Sequence, residues 1–565
     1  MWDKTIVLKK NSTKISYIFI SLSLIFWIYY LLNSKMIIGS LGLFNGIHPF
    51  FFISTAILIL SMLITISFNI KNKYLLLLHY SLITLFFWSI NISIEKTPRF
   101  VFQYLNFGYI DSILNTGYVD SDRISYLIWP GSHILAAFII QLSNLDIFNF
   151  ITLSPQILNI FLFPVYYLLF KLLLQNEKEI WICLAFNSVS FLGTGYYLPG
   201  SFGAYCILLV ITVLLLLDYK DDNLSRYNII IVLLLLALIN YHLLSSFELM
   251  ILIMVFYAGK KIYFRMLKET FLSEKISFSS NSPMSEKISF PLNSVMLLGV
   301  LIAARHFYLY YRWTSQNFAT FFGRLFDVAD TIQSSYVLGY SGSVEHSMVV
   351  NIRILFVLII IALSMSGFGI SLYSLYKRKH RNLFVEFIPV IWIFGCLITA
   401  FSIPYTGEAL TRAFGYSTLP LYVLIAKNIR SKKTFAILAI LMLIFPVLSI
   451  ICAYGNEQDD YVPLSEIRGV EFLHYTSSNH SNVAIIKERV WPLIDDQKLE
   501  LRTFELDDFY KKPYQYASYN KREIEGYNFI LGDLNSTKLL SFYESNMNNK
   551  IYGNSIVNLY ERVKE

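Results

Sequence analysis

Apolar runs close to the length that crosses a bilayer, about 20 residues, recur along this chain from Ser16 to Cys452. A soluble core cannot hide so many, and with 15% of its 565 residues charged the chain lies outside ordinary water-soluble composition. Thirteen stretches qualify as spans: 16–34, 49–70, 74–92, 152–173, 179–195, 202–218, 227–241, 244–259, 293–312, 351–376, 383–403, 410–428 and 434–453. One more apolar stretch, 129–145, opens on Trp129-Pro130-Gly131, carries His133 and breaks at Ser143-Asn144-Leu145-Asp146.

Basic loops set the register, because Lys and Arg collect on the cytoplasmic side. If 129–145 crossed the membrane, Lys260, Lys261 and the Lys377-Arg378-Lys379 cluster would face outward. Treated as a half-inserted or membrane-parallel helix, it leaves those groups inside, together with Lys71/Lys73, Lys171/Lys178, Lys220/Arg226 and Lys427/Arg430/Lys432/Lys433. The expectation is an all-α polytopic bundle in the cell membrane, with about 13 transmembrane helices plus one membrane-parallel helix. Its N-terminus is cytoplasmic in this reading. The net charge of +8 then reads as an orientation signal, and no nucleic-acid partner is expected.

Beyond Asn456 the character changes, with 13 Lys and Arg against 18 Asp and Glu. Apolar strands at 482–486 and 527–531 and helical patterns at 464–475 and 537–546 predict a small C-terminal α/β domain, 456–565, on the extracytoplasmic side. Residues 1–455 form the membrane domain. The four cysteines (Cys183, Cys206, Cys396, Cys452) all sit in apolar segments, so neither a disulfide framework nor a zinc site is expected.

In this register the polar clusters share the outer side. The first outer loop, about 93–128, holds Glu95, Arg99, Asp111, Asp120, Asp122 and Arg123. Carboxylates there can act as a general base, hold a divalent cation, or solvate a turn. Glu95 follows a span end and can equally pair with Lys96 or Arg99. Glu408 and Arg412 stand one helical turn apart, near the outer end of a span. They make an internal pair, a phosphate-binding arginine oriented by its glutamate, or both, since a guanidinium grips phosphate in a bidentate fork. His242, Arg305 and Arg353 also lie near outer span ends, and three arginines on one face point to an anionic headgroup. Tyr197 before Pro199 can stack on a sugar ring or simply open a helix.

The stretches Glu95-Lys-Thr-Pro-Arg99, Phe107-Gly-Tyr-Ile-Asp111, Asn115-Thr-Gly117 and Asp122 to Trp129-Pro-Gly131 resemble the first outer loop of an archaeal and bacterial family of membrane glycosyltransferases of the C-type (GT-C) superfamily. Tyr197-Leu-Pro199 and Gly407-Glu408 to Arg412 resemble further patches of it. The resemblance implies a sugar donor on polyprenyl phosphate or pyrophosphate, chemistry on the outer face, and a first-loop carboxylate as base or metal ligand near a membrane-parallel helix. It leaves Glu95, Asp111, Asp120 and Asp122 as catalytic candidates, and Arg412, Glu408, Arg305, Arg353, His242 and Tyr197 as substrate-binding ones. A divalent cation (Mg²⁺ or Mn²⁺) would sit on Asp120 and Asp122. The implied partners are a polyprenyl-phosphate sugar donor, membrane lipid, and a glycan, lipid or protein acceptor. The chain lacks the Trp-Trp-Asp-Tyr-Gly motif of oligosaccharyltransferases and the Asp-Glu pair of mannosyl- and aminoarabinose transferases.

A lipid-linked oligosaccharide flippase or a secondary transporter is the competing reading. It predicts ionisable groups in mid-membrane and inverted repeats; in the sequence, polar groups gather at span ends.

Overall fold

The computed structural model describes residues 2–68, 70–98, 101–119, 130–190, 199–221, 227–273, 290–305, 343–377, 383–402, 408–429, 431–477, 481–485, 499–503, 516–522, 524–525, 528, 549–553 and 557–561. Apart from a few residues at their ends and Leu162, the thirteen apolar runs lie on helix where they are described. The helices are α1 (Trp2–Asn33), α2 (Phe50–Phe68), α3 (Lys73–Ile90), α4 (Val101–Thr116), α5 (Gly131–Ser143), α6 (Ile147–Phe161), α7 (Phe163–Leu173), α8 (Glu177–Val189), α9 (Pro199–Asp221) and α10 (Asn228–Tyr241). They continue as α11 (Leu243–Ser273), α12 (Phe290–Ala304), α13 (Val344–Lys377), α14 (Leu383–Ser402), α15 (Glu408–Ala426), α16 (Lys432–Tyr454), α17 (Glu457–Asp460) and α18 (Leu464–Thr476). Among the described residues, six helical stretches are long and apolar enough to cross a membrane: Ser12–Asn33, Phe50–Phe68, Lys73–Glu95, Ile147–Leu173, Val344–Tyr373 and Lys432–Tyr454.

The packing follows lipid logic. Large apolar side chains such as Ile18, Leu32 and Ile229 are exposed on helix surfaces, while small polar groups turn inward and bridge neighbouring helices. Ser16 Oγ meets Thr65 Oγ1 at 2.9 Å, Ser61 Oγ donates to the Ser16 carbonyl at 3.1 Å, and His79 Nε2 lies 2.7 Å from Ser61 Oγ. These contacts tie α1, α2 and α3 together.

Two segments differ from expectation. The run 152–173 lies in the candidate span Ile147–Leu173, but that span is interrupted at Leu162, where Pro164 at the start of α7 has no N–H for the ladder. The segment 93–128, read as a loop, contains the 16-residue helix α4. Its apolar residues recur at helical spacing (Tyr104, Phe107, Ile110, Ile113, Leu114) and pack inward. Gly117, with φ +75°, ends it.

Helix α5 has 13 residues, about 20 Å of rise against a hydrocarbon core of about 30 Å. It ends on Asn144 in the left-handed conformation, φ 53°, and α6 then starts with the Asp146 carboxylate capping Asn149 N–H at 3.1 Å. One side of α5 buries Ala136, Ala137 and Ile140, and the other exposes Ile134, Leu135, Phe138 and Leu142.

The C-terminal segment holds a five-stranded sheet, β2 (Leu499–Thr503), β1 (Ser481–Ile485), β3 (Tyr516–Asn520), β5 (Val557–Glu561) and β4 (Asn549–Gly553) in spatial order. The β2-β1-β3 side is parallel and the β3-β5-β4 side antiparallel. The expected strand at 482–486 is β1 and the expected helix at 464–475 is α18; the strand at 527–531 and helix at 537–546 fall outside the described residues, Asn528 excepted. The core of this module (Val462, Ile467, Val470, Leu473, Val483, Val557, Leu559) also contains Tyr104 of α4, with Phe148 of α6 packed on it. Helix α4 and the C-terminal module therefore share one core.

Candidate functional site

The joint between α10 and α11 organises the site. Helix α10 stops at Tyr241, and His242 takes extended backbone angles before α11 begins. The His242 ring then caps the new helix, with Nδ1 3.3 Å from both Ser245 N and Ser245 Oγ. Asn240 Oδ1 accepts a short hydrogen bond from the Arg305 guanidinium, just past the end of α12. The Tyr241 ring is flanked by Gly131 and Gly203, where a Cβ would lie 2.9 and 2.7 Å from its edge atoms. Only glycine leaves room for that ring. The start of α5 is thus laid against the 240–242 joint.

From there, contacts run on to α4. His133, buried in the first turn of α5, places Nε2 2.7 Å from Asn106 Oδ1 and packs edge-on against Tyr109 at 5.5 Å. On the other side of the joint, the charge of half-buried Arg412 on α15 acts on both His242 and Glu248. Glu248 is fully buried on α11, and neither of its carboxylate oxygens accepts a hydrogen bond among the described residues.

Of the residues singled out in sequence, the structure brings Arg305 and His242 to this joint, and the Arg412 charge acts on His242 from α15. Glu408 is the first residue of α15. Arg353 stands elsewhere: it is buried, and its Nε donates to the Cys452 carbonyl at 3.0 Å, tying α13 to the end of α16. Asp120, Asp122 and Tyr197 lie outside the described residues. No group of three or more His, Cys, Asp or Glu placed to hold a metal occurs among the described residues.

Glu95 closes a widened helical turn at the end of α3, where Lys96 N–H reaches back to the Asn91 carbonyl at 3.2 Å and Lys96 itself is left-handed, φ 59°. Such widened turns are frequent at functional positions, and a left-handed lysine stores backbone strain. The Glu95 side chain is buried, and the next residues join the C-terminal module, with Thr97 Oγ1 donating to the Val462 carbonyl at 2.8 Å. Burial first, and then the Glu95 carboxylate, pushes the Tyr461 hydroxyl above its usual range. Asp111 is half-buried on α4 and accepts from Asn115 Nδ2 at 3.0 Å; burial raises its carboxyl, partly offset by that bond.

Sequence reading missed Glu248. The signal was present, since Glu248 is the one charged residue between Leu243 and Gly259, and an ionisable group inside an apolar helix is a functional candidate by default. It also weakens the generalisation that polar groups keep to span ends.

Helices, composition and lipid-style packing define a multi-pass membrane protein. No family model matches the sequence, and a search of curated proteins finds no match either. Among solved structures, the chain is similar to the apo oligosaccharyltransferase of Archaeoglobus fulgidus, with 11% identity, 86% of this chain and 74% of that chain covered, and a TM-score of 0.48.

Proposed function

We propose that the protein is a membrane glycosyltransferase that moves a sugar from a polyprenyl-phosphate donor to a glycan, lipid or protein acceptor on the outer face of the membrane. The observation that carries this reading is the Arg305 guanidinium bonded to Asn240 beside His242 at the α10–α11 joint, with Arg412 on α15 near enough for its charge to act on that histidine. Guanidinium is the side chain suited to a phosphate diester, presenting a planar fork to two oxygens. In the reaction an acceptor oxygen or nitrogen attacks the anomeric carbon and the bond from that carbon to the phosphate oxygen breaks. The electron pair leaves on the phosphate, and the acceptor's proton passes to a carboxylate. Fixed positive charge facing the departing phosphate is the main catalytic contribution.

Glu95 and Asp111 are the described carboxylates suited to the proton, with Asp120 and Asp122 further candidates. Glu408 and Tyr197 complete the proposed substrate-binding set; Arg353, buried and bonded to the Cys452 carbonyl, is left out of it. In this reading residues 1–455 bind the donor, residues 456–565 lie outside, and the N-terminus is cytoplasmic. The buried Glu248 favours a second reading, a lipid-linked oligosaccharide flippase or transporter that uses an intramembrane ionisable group.

Purified protein in nanodiscs, given radiolabelled polyprenyl-phosphate sugars with and without Mg²⁺ or Mn²⁺, separates the two. Release of polyprenyl phosphate with label appearing in an acceptor supports transfer. Movement of intact donor between leaflets without release supports the carrier.

A further inference from the structure

Three contacts fix the short segment that leaves the bundle and enters the C-terminal module, α17 and the two residues after it. Gln458 Nε2 donates to the Gly39 carbonyl at 3.3 Å, Thr97 Oγ1 to the Val462 carbonyl at 2.8 Å, and Arg522 Nη2 to the Glu457 carbonyl at 2.7 Å. The first two partners belong to the membrane domain and the third to the module. Asn520, at the end of β3, accepts the Arg522 N–H on Oδ1 at 3.0 Å and so sets where that side chain leaves the sheet. Arg522 Nη1 donates to Glu525 Oε2 at 2.8 Å, and the guanidinium carbon lies 5.7 Å from the centre of the Tyr461 ring. The side chain is 12% exposed, so these contacts are largely shielded from water. One planar group therefore joins a module carboxylate to a carbonyl and a ring of the connecting segment, which a single ammonium point charge cannot do.

At its other end the segment reaches Glu95. Val462 lies in the module core and accepts from Thr97, whose hydroxyl also lies 3.4 Å from the Glu95 carbonyl. Between Glu95 and Thr97 stands the left-handed Lys96. A residue with a side chain keeps that backbone conformation where its surroundings hold it. We infer that Arg522 is a positioning residue: it clamps residues 457–462 onto the C-terminal module, and through the bond between Val462 and Thr97 the clamp holds the strained turn that carries Glu95. Arg522 touches no substrate in this account and acts only through that segment.

The role in turnover rests on the reading of Glu95 as the base, whereas hydrogen exchange tests the clamp with no substrate present. Full-length wild type, Arg522→Gln, Arg522→Lys, Thr97→Val and the Arg522→Gln/Thr97→Val double variant are compared in nanodiscs, following residues 91–98, where the Lys96 N–H bonds the Asn91 carbonyl, and strand β1 as a control. The expected result is exchange at 91–98 about tenfold faster in Arg522→Gln and in Thr97→Val, an intermediate rate in Arg522→Lys, and no further gain in the double variant. Exchange at 91–98 at the wild-type rate in Arg522→Gln, or effects that multiply in the double variant, overturn the inference. If β1 shows that Arg522→Gln unfolds the module, Arg522→Lys and Thr97→Val decide, and wild-type exchange at 91–98 in both overturns it. In transfer assays Arg522→Lys should lower kcat with KM for the polyprenyl-phosphate sugar unchanged, and should have no effect once Glu95 is replaced by Gln. Faster exchange with wild-type kcat, in an enzyme that needs Glu95, overturns the positioning role. Full turnover by Glu95→Gln, or no transfer by wild type, alongside the expected exchange, contradicts the base reading and leaves the clamp standing.

Discussion

Asp111 shows how far a single residue could be read in advance. Its type and its place after the third apolar run were legible, and so was its candidacy as a base. Its half-buried setting on a helix, with Asn115 one turn on, was not, because burial depends on what α4 packs against. Burial raises its carboxyl above the ordinary 3.8, so the folded state holds that proton more tightly than the unfolded one. Stability from this group is complete below that ordinary value and is lost as pH rises through the raised one. Asp111→Asn should therefore raise the melting temperature at neutral pH and leave it unchanged in acid. A lower melting temperature at neutral pH would show that the ionised carboxylate is stabilising. Arg412, Arg305 and His242 were each visible as costly groups near span ends, but the joint that unites the last two was not. Asn240 and the two glycines beside Tyr241 carry that information only in three dimensions.

At the scale of elements, apolar periodicity sufficed for the long helices and failed where a proline or a shared core decides. Pro164 splits α6 from α7 within one apolar run. Helix α4 was hidden because a charged, glycine-bearing segment reads as a loop until Tyr104 finds its partners 358 or more residues away (462 − 104 = 358) in the C-terminal module. Tyr104→Ala should remove about 3–5 kcal/mol of packing from that joint core. Limited proteolysis should then cut the region after Asn456 at least roughly tenfold faster, since opening rates follow local stability; wild-type cleavage would mean that the module stands without α4. For α5, its 13-residue length predicts that tags inserted after Gly131 and after Asn149 report the same side of the membrane. Opposite sides would make it a crossing and invert every later loop.

The whole molecule combines a membrane bundle with an α/β module whose core reaches into helix α4. Composition alone announced the bundle and the change of character after Asn456, whereas the joining of the two depended on long-range contacts that no local pattern encodes. Orientation is open to a simple labelling experiment, helped by native cysteines that are buried or half-buried. A cysteine replacing Tyr475, which is 79% exposed on α18, should react with an impermeant thiol reagent in intact cells, and one replacing His380 should not. Labelling at 380 with protection at 475 reverses the proposed sidedness.

The proposed donor site is tested most directly at Arg412, by measuring polyprenyl-phosphate binding and thermal melting on the same purified Arg412→Lys protein. Lysine keeps the charge and loses the planar fork. The account predicts affinity reduced about tenfold or more with the melting temperature nearly unchanged. Wild-type affinity with a lowered melting temperature would contradict it, leaving Arg412 as scaffolding for the helix that carries it.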